Sequence, residues 1–168
     1  TSGAALPVNT RYYTFHLPDG VQIYGGFAGT ETYLSERKMG QHPTILDGNE
    51  GTYQVFYVVI SVNSGAESVL DGFVITGGRA VYLGNAIMVG GVAVSSANGG
   101  GIAFAQSSAT VRNAAVVNNN ASAEGGGLVI IDASPKLTNV TIAANSSSRQ
   151  GGGIYATASA FPTLTNAT

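Results

Sequence analysis

Few residues in this 168-residue chain are suited to chemistry. Asp19, Asp47 and Asp71 each precede a glycine; Asp19 and Asp71 stand 52 residues apart, with Asp47 near the midpoint. Stacked along one edge of a repeating fold, these carboxylates could hold a cation. A polysaccharide lyase needs such a cation site plus an Arg or Lys base, and an inverting hydrolase needs paired acids. The same Asp-Gly step is also ordinary turn chemistry, with the Asp side chain accepting from nearby backbone and glycine turning left-handed. The corresponding later positions, Arg112, Thr138 and Thr165, carry no carboxylate, which favours the turn. His16 and His42 fall near Tyr12, Tyr13 and Tyr24 without a matching set of acids. Such a histidine pair is more often structural than metal-binding or catalytic. The tyrosines suit stacking on sugars, and equally a place in a β-wall. Neither a catalytic residue, nor a metal ligand, nor a cofactor is assigned.

The elements that would position these residues emerge from an internal repeat. Glycine triplets begin at Gly99, Gly125 and Gly151, each followed by a large aliphatic residue: Ile102, Leu128 and Ile154. Thr110-Val111-Arg112-Asn113 matches Lys136-Leu137-Thr138-Asn139 and then Thr163-Leu164-Thr165-Asn166. Val116 and Asn119 recur 26 residues later as Ile142 and Asn145. In the first half, Asp19 to Gly26 and Asp71 to Gly78 share a D-G-Φ-x-I-x-G-G pattern at twice that spacing. Gly20, Gly48, Gly72, Asn113, Asn139 and Asn166 then form one turn ladder, filled by the two residue types that best tolerate positive φ. Short Φ-x-Φ strands beside the turn would point Val21/Ile23, Phe73/Ile75, Ala114/Val116 and Val140/Ile142 inward. The expected fold is an all-β, right-handed parallel β-helix (a solenoid) of about six coils of roughly 26 residues, its hand taken from the general rule for parallel crossovers. At strand spacing it would be about 30 Å long.

Residues 1–168 are read as a single domain with side insertions at 30–40 and 79–98. The first holds four charged residues and predicts a one- or two-turn helix stopped at Gly40. The second is apolar and predicts a side loop or hairpin bending at Gly90-Gly91. Its Val81, Tyr82, Ile87 and Met88 are candidate partner contacts.

Composition narrows the classes. With 44 % hydrophobic residues and a net charge of −2, the chain is too apolar and too weakly charged for intrinsic disorder. Clustered rather than every-third glycine excludes collagen, and 7 Lys+Arg against 9 Asp+Glu argue against nucleic acid as partner. The absence of Cys rules out disulfides and thiolate zinc sites. No apolar run is long enough to cross a membrane as a helix.

Leu17 to Thr32, Pro43 to Asn49, Val69 to Gly78, the repeated Gly-Gly-Gly-[Ile/Leu] units, Ser134-Pro135-Lys136-Leu137-Thr138-Asn139 and the [Ile/Val]-x-x-Asn steps ending at Asn119 and Asn145 carry a resemblance. Over roughly residues 14–168 the chain resembles the right-handed parallel β-helix repeat proteins of bacterial surfaces, often secreted with a C-terminal sorting domain. The units are also similar to those of polymorphic outer-membrane proteins. The resemblance implies an extracellular, bacterial cell-surface location and a non-enzymatic, adhesin-like module for recognition or use as a stalk, with glycans or a host surface as partners. Two other readings stay open: a filament subunit stacking end to end, and a polysaccharide lyase or hydrolase. No cap helix precedes Thr14, and Thr168 stands two residues after the turn residue Asn166, before the inward strand that would follow. The expected partners of such open ends are other copies of the chain or the rest of a longer one.

Overall fold

The computed structural model describes residues 10–50, 53–81 and 86–168, so the candidate contact Tyr82 lies outside the described residues. The chain is all-β, 46 % strand against 3 % helix. It lays down β1 (Phe15–His16), β2 (Gln22–Tyr24) and β3 (Thr44–Asp47), then the antiparallel pair β4 (Asn49–Glu50) and β5 (Tyr53–Gln54). A second round holds β6 (Val59–Val62), β7 (Val69–Asp71), β8 (Phe73–Thr76) and β9 (Arg79–Ala80). The hairpin β10 (Ala86–Val89) and β11 (Val92–Ser95) follows. A third round is β12 (Ile102–Ala105), β13 (Thr110–Val117) and β14 (Asn120–Ala121). The fourth is β15 (Leu128–Ile131), β16 (Lys136–Ala143) and β17 (Ser146–Ser147), and the fifth β18 (Ile154–Ala156) and β19 (Thr163–Ala167).

Each round returns to the first two sheets, rounds two to four also to the third, and every pairing between rounds is parallel. The first sheet runs β1-β6-β12-β15-β18, the second β2-β7-β13-β16-β19 with β3 and β8 alongside, and the third β9-β14-β17. Alternation sorts the side chains. Ile102, Phe104, Leu128 and Ile130 of the first sheet meet Val111 and Leu137 of the second in the main core. Ile60, Ala103 and Val129 face the other way, into a second cluster on which Ile87, Val89 and Val92 of the hairpin pack. That sheet is therefore apolar on both faces. This is why Ile102–Ala105 and Leu128–Ile131 read as continuous apolar runs rather than alternating ones.

The expected register holds in the second half, where Ile102 lies beside Leu128 and Leu128 beside Ile154. It fails in the first. Gln22 lies beside Val69 and Tyr24 beside Asp71, while Thr44 lies beside Phe73. The two D-G-Φ-x-I-x-G-G segments do not superpose, because Asp19-Gly20 turns ahead of β2 whereas Asp71-Gly72 sits between β7 and β8. The stretch 25–43 is one lateral excursion within a single level, so the first sheet has five levels and not six. Val21, expected inward, is 39 % exposed. The predicted helix in 30–40 is a single 3-10 turn, Leu34–Glu36, and the insertion is wider than expected. The second insertion leaves the sheet after Ala80, since Arg79–Ala80 still pairs with β14. Its bend falls at Gly90 (φ 54°) and Gly91 (φ 81°), both left-handed as a two-residue hairpin turn requires.

Candidate functional site

Asp71 closes strand β7 with 1 % of its surface exposed, and three side chains, two of them arginines, donate to its carboxylate. Its Oδ2 accepts from Arg112 Nε at 2.8 Å and from Arg37 Nη2 at 3.1 Å, and its Oδ1 accepts from Asn113 Nδ2 at 2.9 Å. Arg112 and Asn113 come from β13, the next strand of the sheet; Arg37 reaches in from the excursion. Arg37 Nη1 also donates to the Gly25 carbonyl at 3.1 Å, and its guanidinium lies 5.0 Å from the Tyr24 ring centroid. Burial alone would raise the Asp71 pKa. The hydrogen bonds from Asn113, Arg112 and Arg37, with the Arg37 charge, outweigh it and hold the carboxyl below its ordinary value. An acid so placed is ionised, neutralised and already hydrogen-bonded on both oxygens.

From Asp71 an amide ladder runs up the stack. Asn113, Asn139 and Asn166 occupy one column, as expected, with φ of 50°, 53° and 50°, and Gly72 (φ 88°) completes it beside Asn113. Asn139 Nδ2 donates to Asn113 Oδ1, and Asn166 Nδ2 to Asn139 Oδ1, each at 3.1 Å. Gly20 and Gly48 do not belong to it. Gly20 is left-handed (φ 69°) but its N–H donates to Ser68 Oγ at another corner. Gly48 is not among the residues of positive φ; its N–H donates to the Thr76 carbonyl, and a Cβ there would lie 3.0 Å from the Gly77 backbone. Close approach, not a turn, requires glycine at 48.

The three aspartates therefore do not stack. Asp47 Oδ1 accepts from the Asn49 N–H at 2.9 Å, an Asx turn, and Asp19 Oδ1 from the Gly65 N–H at 2.7 Å. His16 is exposed on β1. His42 sits instead in a shallow hollow of about 430 Å³ with Glu31, Glu36 and Lys38 on the excursion. Among the described residues no three His, Asp or Glu side chains gather in a way that would hold a metal ion. Glu31 accepts from the N–H groups of Ala28, Gly29 and Thr30 at 2.7, 2.9 and 3.0 Å, the Ala28 bond foremost in lowering its pKa. Tyr12 is 51 % exposed with its ring edge-to-face on Phe56, and Tyr13 is 56 % exposed. Of the candidate partner contacts, Val81 and Ile87 pack on the second cluster and Met88 is 64 % exposed.

Comparison of the chain with known protein families, with curated proteins and with solved structures finds no match in any of the three. The chain is placed by its own geometry alone.

A second polar device lies deeper. Asn119, 1 % exposed, accepts from the Gly78 N–H at 2.9 Å and donates to the carbonyls of Ile75 and Val117 at 3.0 Å. Asn145 repeats the post one level up, donating to the Val116 carbonyl at 2.8 Å and accepting from the Asn119 N–H at 3.0 Å. Sequence spacing paired Asn119 with Asn145 correctly. It missed Arg37 and Arg112 as partners of Asp71. Arg112 had a signal, standing where the later repeats place Thr138 and Thr165; Arg37 had none.

Proposed function

We propose that the chain is a right-handed parallel β-helix serving as a non-catalytic wall module of an extracellular bacterial surface protein, for recognition or spacing. The observation that carries this reading is where the polar groups go. Asp71, Asn113, Asn119, Asn139 and Asn145 each bond to the level above or below, so the stack's own coherence consumes them. A lyase or hydrolase needs carboxylates free to meet a cation or a sugar, and Asp19, Asp47 and Asp71 are each engaged by the backbone or by arginine. The recurrence of the same sheets in the same order supports coiling, and the repeat resemblance supports the surface setting.

The test has two arms. Uronic-acid and neutral polysaccharides incubated with the chain, with and without calcium, are expected to yield no new reducing ends or unsaturated products. Glycan and host-matrix arrays are expected to show saturable binding; blank arrays reduce the module to a spacer. Turnover of any polymer, lost on substituting Asp71, would sink the non-catalytic reading.

A further inference from the structure

The excursion is organised from within rather than by the stack. None of the residues 27–43 joins either core cluster. Two glutamates order it instead. Glu31 accepts from the amides of Ala28, Gly29 and Thr30, and Glu36 Oε2 from those of Thr32 and Tyr33 at 2.7 and 2.9 Å. The Lys38 carbonyl accepts from the Gln41 and His42 N–H groups. The hollow lined by Glu31, Glu36, Lys38 and His42 lies wholly on this segment.

Its fastening to the stack is concentrated around Arg37. The Arg37 guanidinium donates to Asp71 Oδ2 and to the carbonyls of Gly25 and Asp71, and it lies between the rings of Tyr24 and Phe27, 5.0 and 5.9 Å from their centroids. Beside it, the Lys38 N–H donates to the Gly26 carbonyl, the Gly26 N–H donates to Thr44 Oγ1, and Met39 packs over Gly26 and Gly72. Among the described residues, Arg37–Asp71 is the only ion pair that joins excursion to stack.

Two arginines share Asp71 but do not depend on it equally. Arg112 is 41 % exposed and stands on β13, whose backbone pairs with β7, β8 and β16 whatever its side chain does. Arg37 is 10 % exposed. Without the carboxylate charge it keeps only carbonyl partners, and it regains water only if the excursion lifts. A buried charge stripped of its partner is costly, and a segment with no share in the core has little to oppose that cost.

We propose that Arg37 is a latch: its ion pair with Asp71 holds the 25–43 excursion against the wall as a flap, and loss of the Asp71 charge releases the flap while the stack stays folded. The hollow on the excursion moves with it. The device operates whether the wall recognises a ligand or only spaces.

Facing Asp71 are Arg37 from the excursion, Arg112 and Asn113 from β13, and Tyr24, its neighbour on β2. Burial pulls the Asp71 pKa up, and the bonds from Asn113, Arg112 and Arg37 pull it further down. The latch therefore stays shut through mild acid and opens below pH ~4.

The test is amide hydrogen exchange of the full chain between pH 7 and pH 3, corrected for intrinsic rates. In acid the Gly26 and Lys38 amides are expected to lose protection at least about tenfold more than those of β12 to β16, the mark of a local opening. Asp71→Asn should show the same loss at pH 7 and no further change on acidification. Arg37→Met, which leaves Asp71 its bonds from Arg112 and Asn113, should loosen the same two amides at pH 7 and leave nothing for acid to release. Acid loosening that persists in either variant would assign it to Glu31 or Glu36 and overturn the latch. Loosening complete by pH 5, where histidines titrate, would assign it to His42 and overturn it too. Equal loss of protection in excursion and β12 to β16 would make Asp71 a support of the whole stack, with no separate flap.

Discussion

The upper three levels and the lower two solve one problem by different means. From β12 to β19 the same residue types stack on themselves: asparagine on asparagine, glycine beneath a carbonyl, aliphatic on aliphatic. Below, the columns change chemistry at each step. The asparagine column becomes Asp71 and Gly72, and the surrounding polar groups are met by Arg37 and Arg112. Both insertions also leave from these lower levels. Stacked identity is economical because one satisfied contact is satisfied at every level. It also propagates any unpaired group to the next level, so a ladder needs a terminus of different chemistry. A carboxylate held by two arginines supplies one.

The sharpest way to break this contrast is at the terminus. Asp71→Ala leaves Arg37, 10 % exposed, without its counter-ion and Asn113 without its acceptor. Removing one partner of a buried pair costs about 3–5 kcal/mol; with Arg112 41 % exposed, the lower end of that range applies. The expected fall in melting temperature is roughly 6–12 °C. Acid should erase the difference. The Asp71 pKa is lowered on folding, so its contribution is fully present above the unfolded value of about 4. It is lost as pH falls from there through the folded value. Melting of wild type and variant should therefore converge below pH ~4. A gap that persists in acid would mean packing, not charge, holds this corner.

Next in size is the regular half's own post. Asn119→Ala strands the Gly78 N–H and the Ile75 carbonyl in the interior, expected to cost about 2–3 kcal/mol. Amide exchange at Gly78 should quicken in step. If Asn145→Ala, one level up, costs as much, the inner posts are independent; a much smaller cost would show that burial sets their value.

The outer ladder should be weaker. Asn139→Ala forces a left-handed alanine, at about 1–2 kcal/mol, and interrupts the amide chain. Asn139→Gly relieves the backbone and removes only the amides. Thermal melts are expected to place the glycine variant between wild type and alanine. Equal melting of the two variants would show that the amides, not the turn, carry the column.

The same contrast decided what could be read from sequence. Where residues repeat in kind, spacing yields register directly: the triplets and Asn119 over Asn145 are where a 26-residue period puts them, and Thr138-Asn139 meets Thr165-Asn166 after one inserted residue. Where chemistry alternates, a local motif misleads. Asp19-Gly20 and Asp71-Gly72 obey the same turn rules at different corners, and turn chemistry does not record which corner it serves. Gly48 shows the converse, a glycine retained for close backbone approach and read as a turn. Arg37 was invisible because its bond to Asp71 spans 34 residues from within an insertion that repeats nowhere.

The smallest effect tests whether a lowered pKa by itself marks stability. Glu31 resembles Asp71 in having its carboxyl held below the usual range by hydrogen-bond donors, here the amides of Ala28, Gly29 and Thr30. It differs in lying open to water, on the excursion and away from the stack. A carboxyl whose pKa is lowered on folding adds stability only in proportion to the shift, and at a site this open to water solvent screening keeps both small. Glu31→Gln should therefore melt within about 1 °C of wild type at neutral pH. A side-chain NMR titration of the wild type should still find the Glu31 carboxyl ionising below ordinary glutamates. A large loss of stability in this variant would tie the excursion to the stack through its outer rim. If instead only Asp71→Ala unseats the excursion, Arg37 is what fastens it, and the difference between the two acids comes down to burial.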